Sequence, residues 1–234
     1  MGQRIIGFTG AQSTGKTTLL KQMRENDTDK KFHFVDEVTR ALDKSVFKIN
    51  NTAEDYNLTQ SFIINSHLDN FYVKGALSGK DLILDRCIVD GFIYTYYLYD
   101  NGKVSHNVFK FAEHWFREML GKYDFIFYTD HKDVELVDDG TRSTDIRFRN
   151  EIINLYDRFV FGQHYENIHV ISGTVEERLK QIDFLIEDKI PCSICSKPTV
   201  YGVNHPEPYQ DKENFQINGS IFCMKCYNDA YNLI

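Results

Sequence analysis

The eight residues Gly10-Ala11-Gln12-Ser13-Thr14-Gly15-Lys16-Thr17 constrain this chain strongly, because they satisfy G-x-x-x-x-G-K-[ST] in a setting that gives the pattern a mechanism. Before them, Arg4-Ile5-Ile6-Gly7-Phe8-Thr9 is a short apolar run that reads as a buried parallel strand. After them, Thr18-Leu19-Leu20-Lys21-Gln22-Met23 is helix-forming. Strand, loop and helix N-terminus together turn several backbone N–H groups toward one point, a nest for the β- and γ-phosphates of a nucleotide. Lys16 is expected to stand exposed in this nest as a point charge on the phosphates, and the Thr17 hydroxyl to ligate Mg²⁺. The nucleotide-binding set is read as Gly10, Ser13, Thr14, Gly15, Lys16, Thr17 and Thr18. A chance glycine turn is the competing reading, and the flanking strand and helix weigh against it. The expected ligand is a nucleoside triphosphate, ATP.

The rest of the chain alternates strands with helices. Lys31-Phe32-His33-Phe34-Val35 reads as a second strand ending at Asp36-Glu37. From about Thr52 to Leu77, apolar residues at helical spacing (Leu58, Phe62, Ile63, Leu68, Phe71, Tyr72) predict a long helix closed by Gly79. Asp81–Asp85, Tyr123–Tyr128 and Ile168–Ile171 read as further strands. Helices are predicted near Val89–Tyr99, Asn107–Leu120, up to about Phe161, and over Val175–Glu187. Such alternation predicts an α/β fold, a five-stranded parallel sheet flanked by helices. Ligands on such sheets bind beyond the carboxyl ends of the strands, where the phosphate loop, Asp36-Glu37, Asp85-Arg86 and the His131–Thr144 loop converge. The alternation stops at Ile190-Pro191, which divides the chain into residues 1–189 and 190–234.

Phosphoryl transfer asks a protein for positioning, a metal, cations on the migrating charge and a group that orients the nucleophile. Asp85, ending an apolar strand, is placed to hold Mg²⁺ with Thr17. Glu37, ending the neighbouring strand, can accept a proton from an acceptor hydroxyl. Arg40 and Arg86 follow these carboxylates and can clamp the acceptor. The competing reading makes such strand-end acids solvated or capping. In the loop Asp138–Arg149, Arg142, Arg147 and Arg149 can fold over the triphosphate as a lid that neutralises charge and excludes water. Arg142 is the best placed of them, and Arg147 can instead pair with Glu151 at i,i+4 on a surface helix.

These motifs occur in order: GFTGAQSTGKTT, Glu37-x-x-Arg40, Asp85-Arg86-x-x-x-Asp90 followed by Tyr94, and Asp139-Gly140-x-Arg142. Over roughly Met1 to Ile186 the chain resembles the P-loop AAA-type kinases. These are related to the ribosylnicotinamide kinase domain of the NAD-salvage regulator, and more loosely to deoxynucleoside and nucleoside monophosphate kinases. The resemblance implies the catalytic set Lys16, Glu37, Asp85 and Arg142. It also implies that Asp90 and Tyr94 face the acceptor pocket with Glu37, Arg40 and Arg86. Helical spacing alone would leave Tyr94 a core aromatic.

Cys192-Ser193-Ile194-Cys195 and Cys223-Met224-Lys225-Cys226 are two CxxC pairs. Two such turns complete a closed tetrahedral Zn²⁺ site, so a small C-terminal zinc ribbon of structural role is expected. Redox pairs are the alternative, which the lack of a helix start after a core strand disfavours. Cys87 is read as a packing residue. A net charge of −7 argues against a surface built to coat nucleic acid. No apolar stretch is long enough to span a bilayer, and a cytoplasmic chain without membrane association, open to homo-oligomer formation, is expected. The favoured activity is ATP-dependent phosphorylation of a nucleoside, (deoxy)nucleotide or related small metabolite. The alternatives are phosphorylation of a hydroxyl within DNA or RNA, with the ribbon as grip, and a nucleotide-binding regulator or ATPase. A guanine-reading N-K-x-D is missing, since His131-Lys132-Asp133 lacks the Asn.

Overall fold

A computed structural model of the chain describes residues 3–40, 42, 55–131, 146–163 and 165–186, with four strands of the C-terminal segment. The chain forms two compact units, Met1–Val175 and Glu176–Ile234. In the first, strands β1 (Ile5–Thr9), β2 (Phe32–Val35), β3 (Asp81–Asp85), β4 (Phe125–Thr129) and β5 (Ile168–Ile171) form one sheet. All neighbours are parallel, in the order β2-β3-β1-β4-β5. The three inner strands are buried at every residue after their first, as coverage on both faces requires, with polar residues among these (Thr9, Asp85, Thr129) only at the carboxyl ends. The edge strands carry His33 and His169 and are only partly covered, so polar residues cost little there.

The helices are α1 (Lys16–Asn26), α2 (Asn57–Asp69), α3 (Gly75–Ser78), α4 (Ile88–Asp100), α5 (His106–Leu120) and α6 (Ile146–Tyr156). A π-helical turn, Asn70–Lys74, joins α2 to α3, and a second, Asp157–Phe161, extends α6. The core between α4, α5 and the end of α6 is aromatic. Phe92 stacks on Phe116 at 4.4 Å and meets Phe159 edge-on at 5.3 Å. Such pairs contribute about 0.5–1.5 kcal/mol each beyond their buried area.

The long helix predicted across Thr52–Leu77 is interrupted by the π turn, and residues 51–54 lie outside the described ones. Its buried face also differs from the expected one. Ile63 and Phe71 are buried, but Leu58, Phe62 and Tyr72 are exposed. Thr59, Gln60, His67 and Asn70 are buried in their place. The physical reason is the neighbour: α2 packs over α4, where Thr95 bonds Gln60 at 3.0 Å and Gly91 lies against His67. That side of α4 is polar, so the helix buries polar groups that it can satisfy.

In the second unit, which takes in α7 (Val175–Ile186) after its first residue, that helix is followed by hairpins β6–β7 (Lys189–Pro191 with Pro198–Gly202) and β8–β9 (Asn214–Ile217 with Ser220–Cys223). Strand β9 runs close to both β6 and β7. No helix among the described residues is long and apolar enough to cross a membrane.

Candidate active site

The strand order explains why distant residues meet. Because β1 lies between β3 and β4, its carboxyl end opens a crevice flanked on one side by Asp85 and on the other by Thr129. Phe8 pairs with Asp85 in register, and Val35 pairs with Leu84, so Glu37 lies two residues past the point where β2 and β3 run together.

The phosphate loop leaves β1 at Gly10, whose φ of 138° and whose approach to Thr129 leave no room for a Cβ: one would fall 2.7 Å from Thr129 Oγ1. The loop is pinned from below. Thr14 and Thr129 hydroxyls are 2.6 Å apart, and Thr14 Oγ1 donates to the Ala11 carbonyl at 3.1 Å. Gly15, with φ of 81°, opens α1. Ser13 also adopts positive φ, 53°, which gives the concave backbone of an anion nest.

Lys16 departs from expectation. It is 3% exposed rather than standing out in the nest, and its ammonium donates to Gly10 O at 2.8 Å, Ala11 O at 2.7 Å and Thr14 Oγ1 at 3.1 Å. The loop carbonyls face inward, and a buried ammonium must find acceptors, so it turns back on them. Burial, reinforced by Arg86, lowers its pKa to about 7 against the pull of Asp90, Asp85 and Glu37.

Opposite the loop lies a buried ionic chain. Arg86 follows β3 in a left-handed conformation, φ 75°, which carries strain for a non-glycine residue and aims its guanidinium inward. Its Nε donates to Glu37 Oε1 and its Nη1 to Asp90 Oδ1. Its guanidinium also lies 5.4 Å from the centre of the Tyr94 ring. Arg86 stays charged, since Glu37 and Asp90 hold its pKa well above the ordinary value despite burial. Glu37 also accepts from Thr39 Oγ1 at 2.9 Å and from Arg40 Nε at 3.2 Å. Asp90 doubles as a cap for α4, accepting the Cys87 N–H at 3.2 Å. Tyr94 is no plain core aromatic: its hydroxyl is 3.5 Å from Gln12 Oε1 of the phosphate loop.

Arg40 reaches across to the loop, where Nη2 donates to Thr17 Oγ1 at 2.6 Å and stands 3.9 Å from Asp85 Oδ2. Thr17 and Asp85 thus face one point, with the hard oxygen donors that Mg²⁺ prefers. Burial and the neighbouring Glu37 raise the Asp85 pKa against the pull of Arg86, Lys16 and Arg40, and a cation at this point would favour its ionised form further. The residues fit the metal.

Two participants were not read from the sequence. Tyr156, at the end of α6, places its hydroxyl 2.9 Å from Thr9 Oγ1, accepts the Gly10 N–H at 3.2 Å and donates to Asp90 Oδ1 at 3.1 Å. Its helix periodicity marks it only as a buried aromatic. His67 is buried against Gly91, near Asp90 and Arg86, and burial lowers its pKa to about 4, so it is neutral above that. Its place in the helical pattern, four residues after the buried Ile63, was the available signal.

Thr18 is exposed beside Thr17. Arg147 is 89% exposed on α6 and pairs with Glu151 at 3.2 Å, the surface arrangement weighed against a lid role. Arg142 lies outside the described residues, as do Cys192, Cys195 and Cys226, while Cys223 ends β9. No cluster of metal-ligating side chains occurs among the described residues. Cys87 is a buried free thiol inside the core, in agreement with a packing role.

A parallel sheet with β1 at its centre, a glycine loop running into α1 and carboxylates at the adjoining strand ends define a P-loop NTPase fold. Residues 5–178 match the family model of an AAA domain, and the chain belongs to that family. Among solved structures, it is similar to a NadR protein in complex with NR (TM-score 0.59, 18% identity), over 80% of this chain and 51% of that one. A NadR protein with NAD and AMP-PNP matches with TM-score 0.54 at 16% identity, over 80% and 49%. A deoxyadenosine kinase from M. mycoides, with products dCMP and dCDP, matches with TM-score 0.57 at 14% identity, over 76% and 96%. The chain thus spans about half the length of the NadR structures. No curated protein matches its sequence.

Proposed function

We propose that this chain is an ATP-dependent phosphotransferase whose acceptor is a hydroxyl of a nucleoside, a (deoxy)nucleotide or a related small metabolite. The observation that carries the reading is the buried Glu37–Arg86–Asp90 chain beside the phosphate loop. Hydrolysis alone needs a positioned water, whereas an acceptor must be recognised and oriented, and an inward-facing carboxylate and guanidinium do that. The likeness in fold to NadR and deoxyadenosine kinase structures supports the same reading.

In this proposal the loop N–H groups and Lys16 bind the phosphates, and Thr17 and Asp85 would hold Mg²⁺, which when bound would supply positive charge against the phosphates. Glu37 accepts a hydrogen bond from the acceptor hydroxyl. Two arginines, Arg40 and Arg86, donate to this carboxylate and fix its place, and the transition state asks little of a base. Arg86 and Asp90 bind the acceptor's polar groups, Tyr94 borders it, and Arg142 closes on the triphosphate. Arg147, engaged by Glu151, is less suited to that task.

Residues 190–234 are proposed to hold one structural Zn²⁺ through Cys192, Cys195, Cys223 and Cys226. In support, Cys192 and Cys195 lie in sequence between β6 and β7, and β9, which runs close to β6 and β7, ends on Cys223. The test of function is a panel of ribonucleosides, deoxynucleosides, their monophosphates and 5′-hydroxyl oligonucleotides incubated with labelled ATP. Transfer to a free nucleoside or nucleotide is the expected result. Transfer to oligonucleotides alone would make the chain a nucleic-acid kinase, and ATP hydrolysis with no transfer would refute phosphotransfer.

A further inference from the structure

We infer that Arg40 is a resident counter-cation at the metal position, so that metal entry and Arg40 release are one event. The inference rests on the metal role proposed for Thr17 and Asp85, and it reassigns Arg40 from a fixed acceptor clamp to a movable gate.

The geometry is specific. A single guanidinium nitrogen, Arg40 Nη2, donates to Thr17 Oγ1 at 2.6 Å and stands 3.9 Å from Asp85 Oδ2. Mg²⁺ or Mn²⁺ bound by the same hydroxyl and near the same carboxylate would lie within about 2–2.1 Å of its direct ligands. That places it within a few ångströms of Nη2. A threonine hydroxyl has a second lone pair, so the two cations do not compete for an orbital. They compete for space and charge: a +2 and a +1 ion some 4 Å apart repel strongly even in water. Asp85 and Glu37 together attract positive charge to this point, and Arg40 lies within ion-pair distance of both.

Arg40 is also built to leave. Its side chain is 47% exposed, whereas Arg86, which holds the other side of Glu37, is 9% exposed. The Nε contact to Glu37 Oε2 at 3.2 Å is independent of Nη2, so the guanidinium can pivot about Glu37 while giving up Thr17 and Asp85. The freed Nη groups would then lie between the metal and the acceptor carboxylate, available to an anionic oxygen brought in with the metal. Loading of the metal would thus arm the acceptor side.

The test reads metal affinity rather than catalysis. Mn²⁺ binding to the full chain is followed by the loss of the free-ion electron paramagnetic resonance signal, alone and with AMP-PNP, for wild type, Arg40→Ala, Arg40→Lys and Asp85→Asn. Arg40→Ala should bind Mn²⁺ roughly tenfold more tightly or better, the effect of deleting one nearby positive charge. Arg40→Lys, which keeps the charge, should stay within about threefold of wild type, and Asp85→Asn should bind worst, since it loses the charged ligand. Unchanged or weaker Mn²⁺ binding in Arg40→Ala, with Asp85→Asn still impaired, would overturn the gate and leave Arg40 a surface partner of Glu37. Loss of metal-free AMP-PNP binding in Arg40→Ala would also overturn it, by making Arg40 a phosphate ligand. Tighter Mn²⁺ binding in a chain that transfers phosphate to nothing would uphold the gate and defeat the phosphotransferase reading, so the two failures are distinct.

Discussion

All three protons of the Lys16 ammonium are taken by oxygens of its own loop, two of them backbone carbonyls. Burial without a full counter-charge brings its pKa to about 7. Two consequences follow. Between about pH 7 and its ordinary value of 10.5 the unfolded chain carries more protons on this residue than the folded one, so its contribution makes stability rise with pH across that window. A phosphate placed beside the ammonium reverses the shift, because an opposite charge favours the protonated form. Binding of AMP-PNP at pH 8 should therefore take up a proton, approaching one per site, and affinity should fall as pH climbs above 7. Calorimetry in buffers of different ionisation enthalpy measures the uptake. Proton release, or none, would mean that Lys16 does not meet the phosphates. The sequence marked Lys16 by motif alone. Its burial depends on where carbonyls six and five residues earlier point, and on the proximity of Arg86, which comes from another strand.

At the scale of elements, α6 matters beyond the packing of Phe148, Ile152 and Ile153. Its last residue, Tyr156, ties the first N–H of the phosphate loop to Asp90, and through Asp90 to Arg86 and Glu37. The π turn that begins at Asp157 lets Phe159 pack on Phe92 and Phe161 on Tyr128 while Tyr156 still faces inward. Wide turns of this kind often accompany such compromises at functional sites. Tyr156→Phe keeps the ring and removes the junction. Losing a hydrogen bond to a charged group costs about 1.5–3 kcal/mol, so kcat should drop roughly 10- to 100-fold. Acceptor KM should rise while the far-ultraviolet circular dichroism spectrum is unchanged. A kcat within about twofold of wild type would reduce Tyr156 to a packing residue. The sequence indicated only a helix running to about Phe161, and the partners of the Tyr156 hydroxyl lie on β1, the phosphate loop and α4, which no local pattern encodes. The same limit explains α2. Its spacing was read for an apolar face, yet the surface it covers carries Thr95, Gly91 and the Asp90 chain, so Gln60 and His67 face inward and Leu58 and Phe62 outward.

For the whole molecule, the two units invite a test of separability. If the four cysteines bind Zn²⁺ as proposed, elemental analysis of the full chain should find about one zinc per molecule. Four-thiolate sites leave no position for substrate, so Cys195→Ser should lose the metal yet keep AMP-PNP affinity within about threefold. A zinc-free wild type would end the ribbon proposal. A variant that retains zinc but loses nucleotide binding would show that the C-terminal segment serves the nucleotide site itself.

What the sequence determined by itself was local: a glycine loop that only certain backbones can follow, apolar runs that must be buried strands, and charged residues left at strand ends. These are dictated by steric and solvation rules acting over a few residues, so the phosphate loop, the five strands and the placing of Glu37, Asp85 and Arg86 at one end of the sheet were all legible. The order β2-β3-β1-β4-β5 was not, because crossover connections can carry a strand to either side of its predecessor. That order sets Asp85 beside Phe8 and Thr129 beneath Gly10. It also turns Lys16 inward, seats Arg40 on Thr17 and Asp85, and makes Tyr156 the link between loop and acceptor side. Only the tertiary structure decided these contacts, since each joins groups whose separation in space is governed by sheet register and helix packing rather than by their distance along the chain.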